Sequence, residues 1–97
     1  MYRKEILKQA ERCVCGERDQ QYGGPERSFT VIAELWSTYL STVMSDTIGI
    51  ADVDVAAMMA LLKIARIATA AVPHPDSWID LAGYAACGGE LDMDGTE

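Results

Sequence analysis

The chain has 97 residues, of which 49% are hydrophobic and 24% are charged, and these proportions are ordinary for one globular domain. Its formal net charge of −7 excludes bulk electrostatic attraction to nucleic acid or to an anionic membrane. The longest uninterrupted apolar run, 55–62, is far shorter than the roughly 20 residues that span a bilayer. The charged N-terminus carries no apolar signal segment, and we therefore expect a cytoplasmic protein.

Apolar residues recur at helical spacing in four segments, which predicts a single all-α domain over residues 1–97. The predicted helices cover about 3–18, 25–44, 52–71 and 76–87, and the acidic tail 89–97 is expected to be loose. Gly88-Gly89 is a typical signal for the end of the fourth helix. The pattern as a whole favours a four-helix antiparallel bundle.

Two of the predicted helices carry more apolar surface than one small core needs. The second helix has a stripe of Val31, Leu35 and Tyr39 on a different side from its main apolar face. The third helix is apolar nearly all round, which is typical of a central helix that is covered on every side. We therefore expect homo-oligomerisation to complete the bundle.

Two isolated cations are the most informative feature of the charge pattern. Residues 28–97 hold ten acidic residues and only two basic ones, Lys63 and Arg66, which share one helical face. Both lie among apolar residues, where burying an unpaired charge costs several kcal/mol. Each cation therefore needs either a partner or a water-filled pocket.

Two interpretations of these cations stay open. Their partners are internal if Asp76 and Asp80, on the next helix, face them across an antiparallel hairpin. Their partner is a ligand if they bind phosphate, for which arginine offers a planar fork and lysine a point charge. The two interpretations are compatible, because the aspartates can orient the cations beside a ligand.

Other residues are weaker candidates for a ligand site. Tyr22 and Gly23, before a second glycine, can present backbone N–H groups to a phosphate, with Arg27 one turn into the next helix. Trp36 or Tyr84 can stack on a base.

Asp76 and Asp80, four residues apart, can together hold one Mg²⁺, with Glu34 as a third ligand. Alternatively, Asp76 serves only to cap the fourth helix.

Three blocks of sequence between residues 20 and 87 form a recognisable pattern. With x for any residue, they are Tyr22-Gly23-x-Pro25…Phe29…Ile32-Ala33-x-Leu35-Trp36, Asp54-Val55…Met58-Met59…Leu62-Lys63-Ile64-Ala65-Arg66 and Asp76-Ser77-Trp78-Ile79-Asp80-Leu81-Ala82-Gly83-Tyr84-Ala85. The pattern resembles a family of small, uncharacterised phage and prophage proteins. This resemblance implies a helical protein of the bacterial host cytosol, and it implies no particular activity.

The helical layout and the spacing Asp76-x-x-x-Asp80-Leu81-x-x-Tyr84 are distantly similar to the all-α NTP pyrophosphohydrolases, the MazG and dimeric dUTPase relatives. That resemblance implies an oligomer that binds Mg²⁺ through Glu-Glu-x-x-Glu on one helix and Glu-x-x-Asp on the next. The present sequence departs from the pattern, because its second helix offers Glu34 alone. Multi-carboxylate metal chemistry needs a fuller set of ligands, and the departure therefore favours binding over hydrolysis.

Three functions follow as hypotheses. The first, which the small number of carboxylates favours, is a helical oligomer that binds a nucleotide or a nucleotide-derived signal by its phosphates, without catalysis. Sequestration of a host immune second messenger is one use for such a protein. The second is a Mg²⁺-dependent nucleotide pyrophosphohydrolase. The third is a structural or regulatory oligomer in which Lys63 and Arg66 pair internally.

Overall fold

Four helices account for the regular structure of residues 1–16 and 24–93, which the computed structural model describes. They are α1 Arg3–Cys15, α2 Gly24–Met44, α3 Asp52–Thr69 and α4 Pro75–Asp92. The prediction of an all-α fold is confirmed, since these ranges contain no strand. None of the described helices combines the length and the apolar character that crossing a membrane requires.

Helix α4 lies in the middle of the arrangement, with α1 and α3 packed against it, while α2 packs mainly on α3. The third and fourth helices form an antiparallel hairpin. Its register is set by the ion pair between Lys63 and Asp80 near the connector and by the close approach of Ala56 to Gly88 further along. Residues 63 to 66 of α3 therefore lie beside the first turns of α4.

The core lies where α2, α3 and α4 meet. It is a buried cluster of Phe29 and Ala33 from α2, Val55 and Ala56 from α3, and Cys87 from α4. The spacing of four between the two α2 residues follows from the helical period, which places them on one face. Partly buried apolar side chains surround the cluster: Val14, Ile32, Trp36, Ile50, Met59, Tyr84 and Leu91.

Within one chain the third helix is covered on only part of its surface, and the sequence predicts that a partner subunit covers the rest. Its buried residues are Val55 and Ala56 alone, while large apolar side chains further along are 40% to 62% exposed: Met58, Leu61, Leu62 and Ile64. The two helices packed on α3, α4 and α2, cover only part of its circumference and leave its remaining face open. A helix of uniformly apolar composition here covers a core on one side and remains exposed on the other.

The fourth helix continues to Asp92 and so passes through Gly88-Gly89, where the sequence predicted its end. Gly88 lies against α3, and a Cβ at this position would be 3.0 Å from the Cβ of Ala56. Leu91, beyond the glycines, packs against the core cluster. The glycine at 88 therefore allows close helix packing, and burial of Leu91 holds the last turn of α4.

Two serines of α2 fix the connector between α2 and α3. The Ser41 hydroxyl accepts a hydrogen bond from the Ile48 N–H (2.9 Å) and donates one to the Ile48 carbonyl (3.1 Å). One turn earlier, the Ser37 hydroxyl accepts from the Ile50 N–H at 2.8 Å. These bonds satisfy backbone N–H and C=O groups of the connector that would otherwise form hydrogen bonds with water.

Candidate functional site

Lys63 has an internal partner. Its Nζ lies 2.9 Å from Oδ2 of Asp80, and the lysine side chain is only 13% exposed while that of the aspartate is 39% exposed. The ammonium has therefore exchanged most of its water for one carboxylate, which still reaches solvent. Asp80 holds the cation at the surface of the α3–α4 seam.

Arg66 lies one turn further along α3 and is exposed. It forms no ion pair with another residue that the structure describes, since Lys63–Asp80 is the sole ion pair in 1–16 and 24–93. Asp76 is likewise exposed, at the start of α4. Of the four charges that the sequence predicted across this hairpin, the structure thus brings two together and leaves Arg66 and Asp76 facing solvent.

The three carboxylates suggested as magnesium ligands do not form one cluster. In the described part of the chain, no group of three or more His, Cys, Asp or Glu side chains is arranged to hold a metal ion. Asp80 is engaged with Lys63, and Asp76 and Glu34 are exposed on separate helices. Glu34, Asp76 and Asp80 therefore form no three-carboxylate site.

An open groove of about 320 Å³ lies along the α3–α4 seam, between residues 53–60 of α3 and 84–92 of α4. Most of its wall is small residues, with Tyr84 and Asp92 as polar groups; the lining is Val53, Ala56, Ala57, Ala60, Tyr84, Ala85, Gly88, Gly89 and Asp92. Tyr84 lies one turn beyond Asp80, and Ala60 lies one turn before Lys63. The groove therefore lies along the same seam as the two cations.

The aromatic candidates have structural contacts. The rings of Tyr84 and Phe29 are 6.0 Å apart between centroids and tilted by 34°, an aromatic pair within the core. Trp36 packs, partly buried, against the core cluster. Of these, Tyr84 also faces the groove.

The other phosphate candidates, Tyr22, Gly23 and Arg27, lie before or at the start of α2 and not on α3 or α4. Arg27 is exposed in the first turns of α2. Tyr22 and Gly23 lie outside the described residues.

Trp78 was not among the site residues that the sequence analysis selected. Its side chain is 49% exposed in the first turn of α4. The register that pairs Lys63 with Asp80 places residues 77 and 78 level with Arg66. The exposure of this tryptophan has no signature in the sequence, because it depends on which face of α4 meets α1 and α3.

Comparison with known proteins assigns the family. Residues 5–92 match the family described as "Domain of unknown function (DUF6378)". The chain is 44% identical over 84 residues to the Gene 55 protein of Mycobacterium phage D29, covering 87% of this chain and 51% of the relative. It is 41% identical over 80 residues to the Gene 55 protein of Mycobacterium phage L5, covering 82% and 47%.

The chain thus spans about half the length of the curated relatives that it matches. No solved structure matches it. Because the family match covers most of the chain and both relatives are phage proteins, this all-helical chain belongs to the DUF6378 family of phage proteins.

Proposed function

We propose that this chain binds a small phosphorylated ligand of the nucleotide class without hydrolysing it. The observation that carries the proposal is Arg66, an exposed cation without a described ion-pair partner, one turn from a lysine that Asp80 already orients. An arginine in this state offers its planar fork to a phosphate without first breaking an internal ion pair.

The neighbouring seam supplies room for the rest of a nucleotide. The groove reaches Ala60, which is six residues, or about 9 Å, from Arg66 along α3. Its small residues allow a flat group to approach the helices, and Trp78, exposed in the first turn of α4, offers a surface on which a base can stack. Sequestration of a nucleotide second messenger of the host is the use that we propose for a phage protein of this kind.

The test is a thermal-shift screen of the purified chain with mononucleotides and with cyclic di- and trinucleotides. A ligand at one hundred times its Kd stabilises the folded state by about 2.7 kcal/mol, a shift of several degrees for a small domain. Arg66→Ala should lose the shift and keep the ligand-free Tm, because the side chain is exposed. Arg3→Ala, which removes an exposed arginine from α1, is the matched control and should keep the shift.

Two results would contradict the proposal. One is a shift that Arg66→Ala and Arg3→Ala leave equally intact, or no shift with any nucleotide. The other is Mg²⁺-dependent release of phosphate or pyrophosphate from the ligand by pure protein, which would replace binding by hydrolysis.

A further inference from the structure

Helix α2 has a second apolar face that no described helix covers. Four side chains at a spacing of four residues form it, and we call them the α2 stripe: Val31, Leu35, Tyr39 and Val43. They are between 49% and 66% exposed. On the opposite side of the same helix, Phe29 and Ala33 are buried in the core. The helix therefore has two apolar faces, of which the described chain covers one.

The polar groups next to the α2 stripe have their hydrogen bonds made within the helix. The hydroxyls of Thr30, Thr38 and Thr42 donate to the carbonyls four residues earlier, at 2.8 to 3.0 Å. Between Ser28 and Met44 the one charged side chain is Glu34. Covering this face thus removes water from methyl groups and satisfied hydroxyls, at little polar cost.

The chain exposes more surface than a compact monomer of its mass. The accessible surface of the chain is 7233 Å², whereas a compact monomer of 10.6 kDa has roughly 5,500 Å². The radius of gyration of 14.8 Å likewise exceeds the ~13 Å of a compact domain of this length. The four side chains of the α2 stripe, each at least 49% exposed, contribute to this excess.

We propose that the α2 stripe pairs, antiparallel, with the α2 stripe of a second copy of this chain. In this arrangement Leu35 of each copy meets Tyr39 of the other, and the two outer valines meet each other, so the surface is self-complementary about a two-fold axis. Rows at four-residue spacing are the ridges that interdigitate in the commonest class of helix packing. A strongly charged partner finds little here to bind, since Glu34 is the single charge.

The test compares two substitutions of the same chemistry at equal exposure. Leu35 is 63% exposed in the α2 stripe and Leu7 is 64% exposed on α1. Sedimentation equilibrium should show a dimer, or a multiple of it, for the unmodified chain and for Leu7→Glu. Leu35→Glu should reduce the subunit number, with loss of the dimer at concentrations where Leu7→Glu retains it. Circular dichroism melts check that both variants keep the helical fold.

Three results would overturn the proposal. They are a monomeric unmodified chain, a dimer that Leu35→Glu leaves intact, and equal dissociation by Leu35→Glu and Leu7→Glu. The proposal stands apart from ligand binding, because Leu35 lies on α2 and Arg66 on α3. Arg66→Ala should leave the subunit number unchanged.

Discussion

The Lys63 ammonium depends on Asp80 because so little water reaches it. Its side chain is 13% exposed, and an ammonium that has lost most of its hydration needs a carboxylate at hydrogen-bond distance to remain charged at low cost. The carboxylate itself is 39% exposed. Solvent therefore screens the pair in part, and it contributes less to stability than a fully buried pair would.

Asp80→Asn should lower the free energy of unfolding by about 1–2 kcal/mol, because it leaves Lys63 without a charged acceptor. Asp76→Asn is the matched control, four residues earlier on the same helix and exposed. It should cost only a few tenths of a kcal/mol, through its place in the first turn of α4. Urea denaturation of both variants measures the difference, and equal losses would contradict a specific role for the ion pair.

The need of Lys63 for a partner could be predicted from the sequence, since a lone cation in an apolar helix is costly. The sequence could not predict which of the two cations, Lys63 or Arg66, would pair with the aspartate. That choice depends on how α3 is rotated against α4, and the rotation is set by core contacts such as that of Ala56 with Gly88. The exposure of Arg66 to solvent depends on the same rotation.

At the scale of the helices, the two adjacent glycines of α4, Gly88 and Gly89, have different surroundings. A Cβ on Gly88 would be 3.0 Å from the Cβ of Ala56, an atom fixed directly to the α3 backbone, whereas a Cβ on Gly89 would meet nothing within 4 Å. Both residues are helical. The close approach of α3 and α4 therefore requires glycine at 88 and does not require it at 89.

Gly89→Ala should stabilise the fold by about 0.5 kcal/mol, because alanine loses less backbone entropy in a helix. Gly88→Ala gains the same helix propensity but should destabilise by about 1–3 kcal/mol, because the methyl group forces α3 and α4 apart. Thermal or urea melts of the pair provide the measurement. If both substitutions stabilised equally, the close packing of α3 on α4 would be wrong.

Helix positions were largely predictable, because long apolar periodicities and proline and glycine signals are local. The end of α4 was not. A glycine pair ends a helix when nothing holds the next turn, and here Leu91 is held by packing against residues from other helices. That contact is not local, and the glycine pair alone does not reveal it.

At the scale of the whole molecule, the sequence correctly indicated that α2 has two apolar faces, but it did not single out α4 as a helix packed between two others. Composition favours α3 as a central helix, since it is apolar nearly all round, and α3 does pack on both α2 and α4, while α4 packs on both α1 and α3. The spacing of Ser77, Gly83 and Cys87 allows α4 to be buried against two neighbours. Small residues at the contact positions allow neighbouring helices to approach a helix closely. A hydropathy pattern does not reveal this property, because it reports how apolar a residue is and not how large it is.

Added NaCl should strengthen the proposed self-association. Two copies that each carry a net charge of −7 repel one another, and salt screens charges beyond about 10 Å at 0.1 M. The apolar contact of the α2 stripe is not weakened by this screening. Sedimentation equilibrium at low and high NaCl should give a Kd that falls several-fold, with Leu35→Glu as the monomer baseline. A dimer that salt dissociates would indicate an interface built on ion pairs instead.

The serine contacts of α2 determine how the two halves of the chain can move. Because Ser37 and Ser41 take the place of water for the amides of Ile48 and Ile50, the connector is tied to the side of α2 rather than suspended between two helices. A segment tied at two points one helical turn apart does not act as a hinge. We therefore expect α2 and α3 to move together rather than to pivot about the connector, because two serine hydroxyls hold the connector on α2.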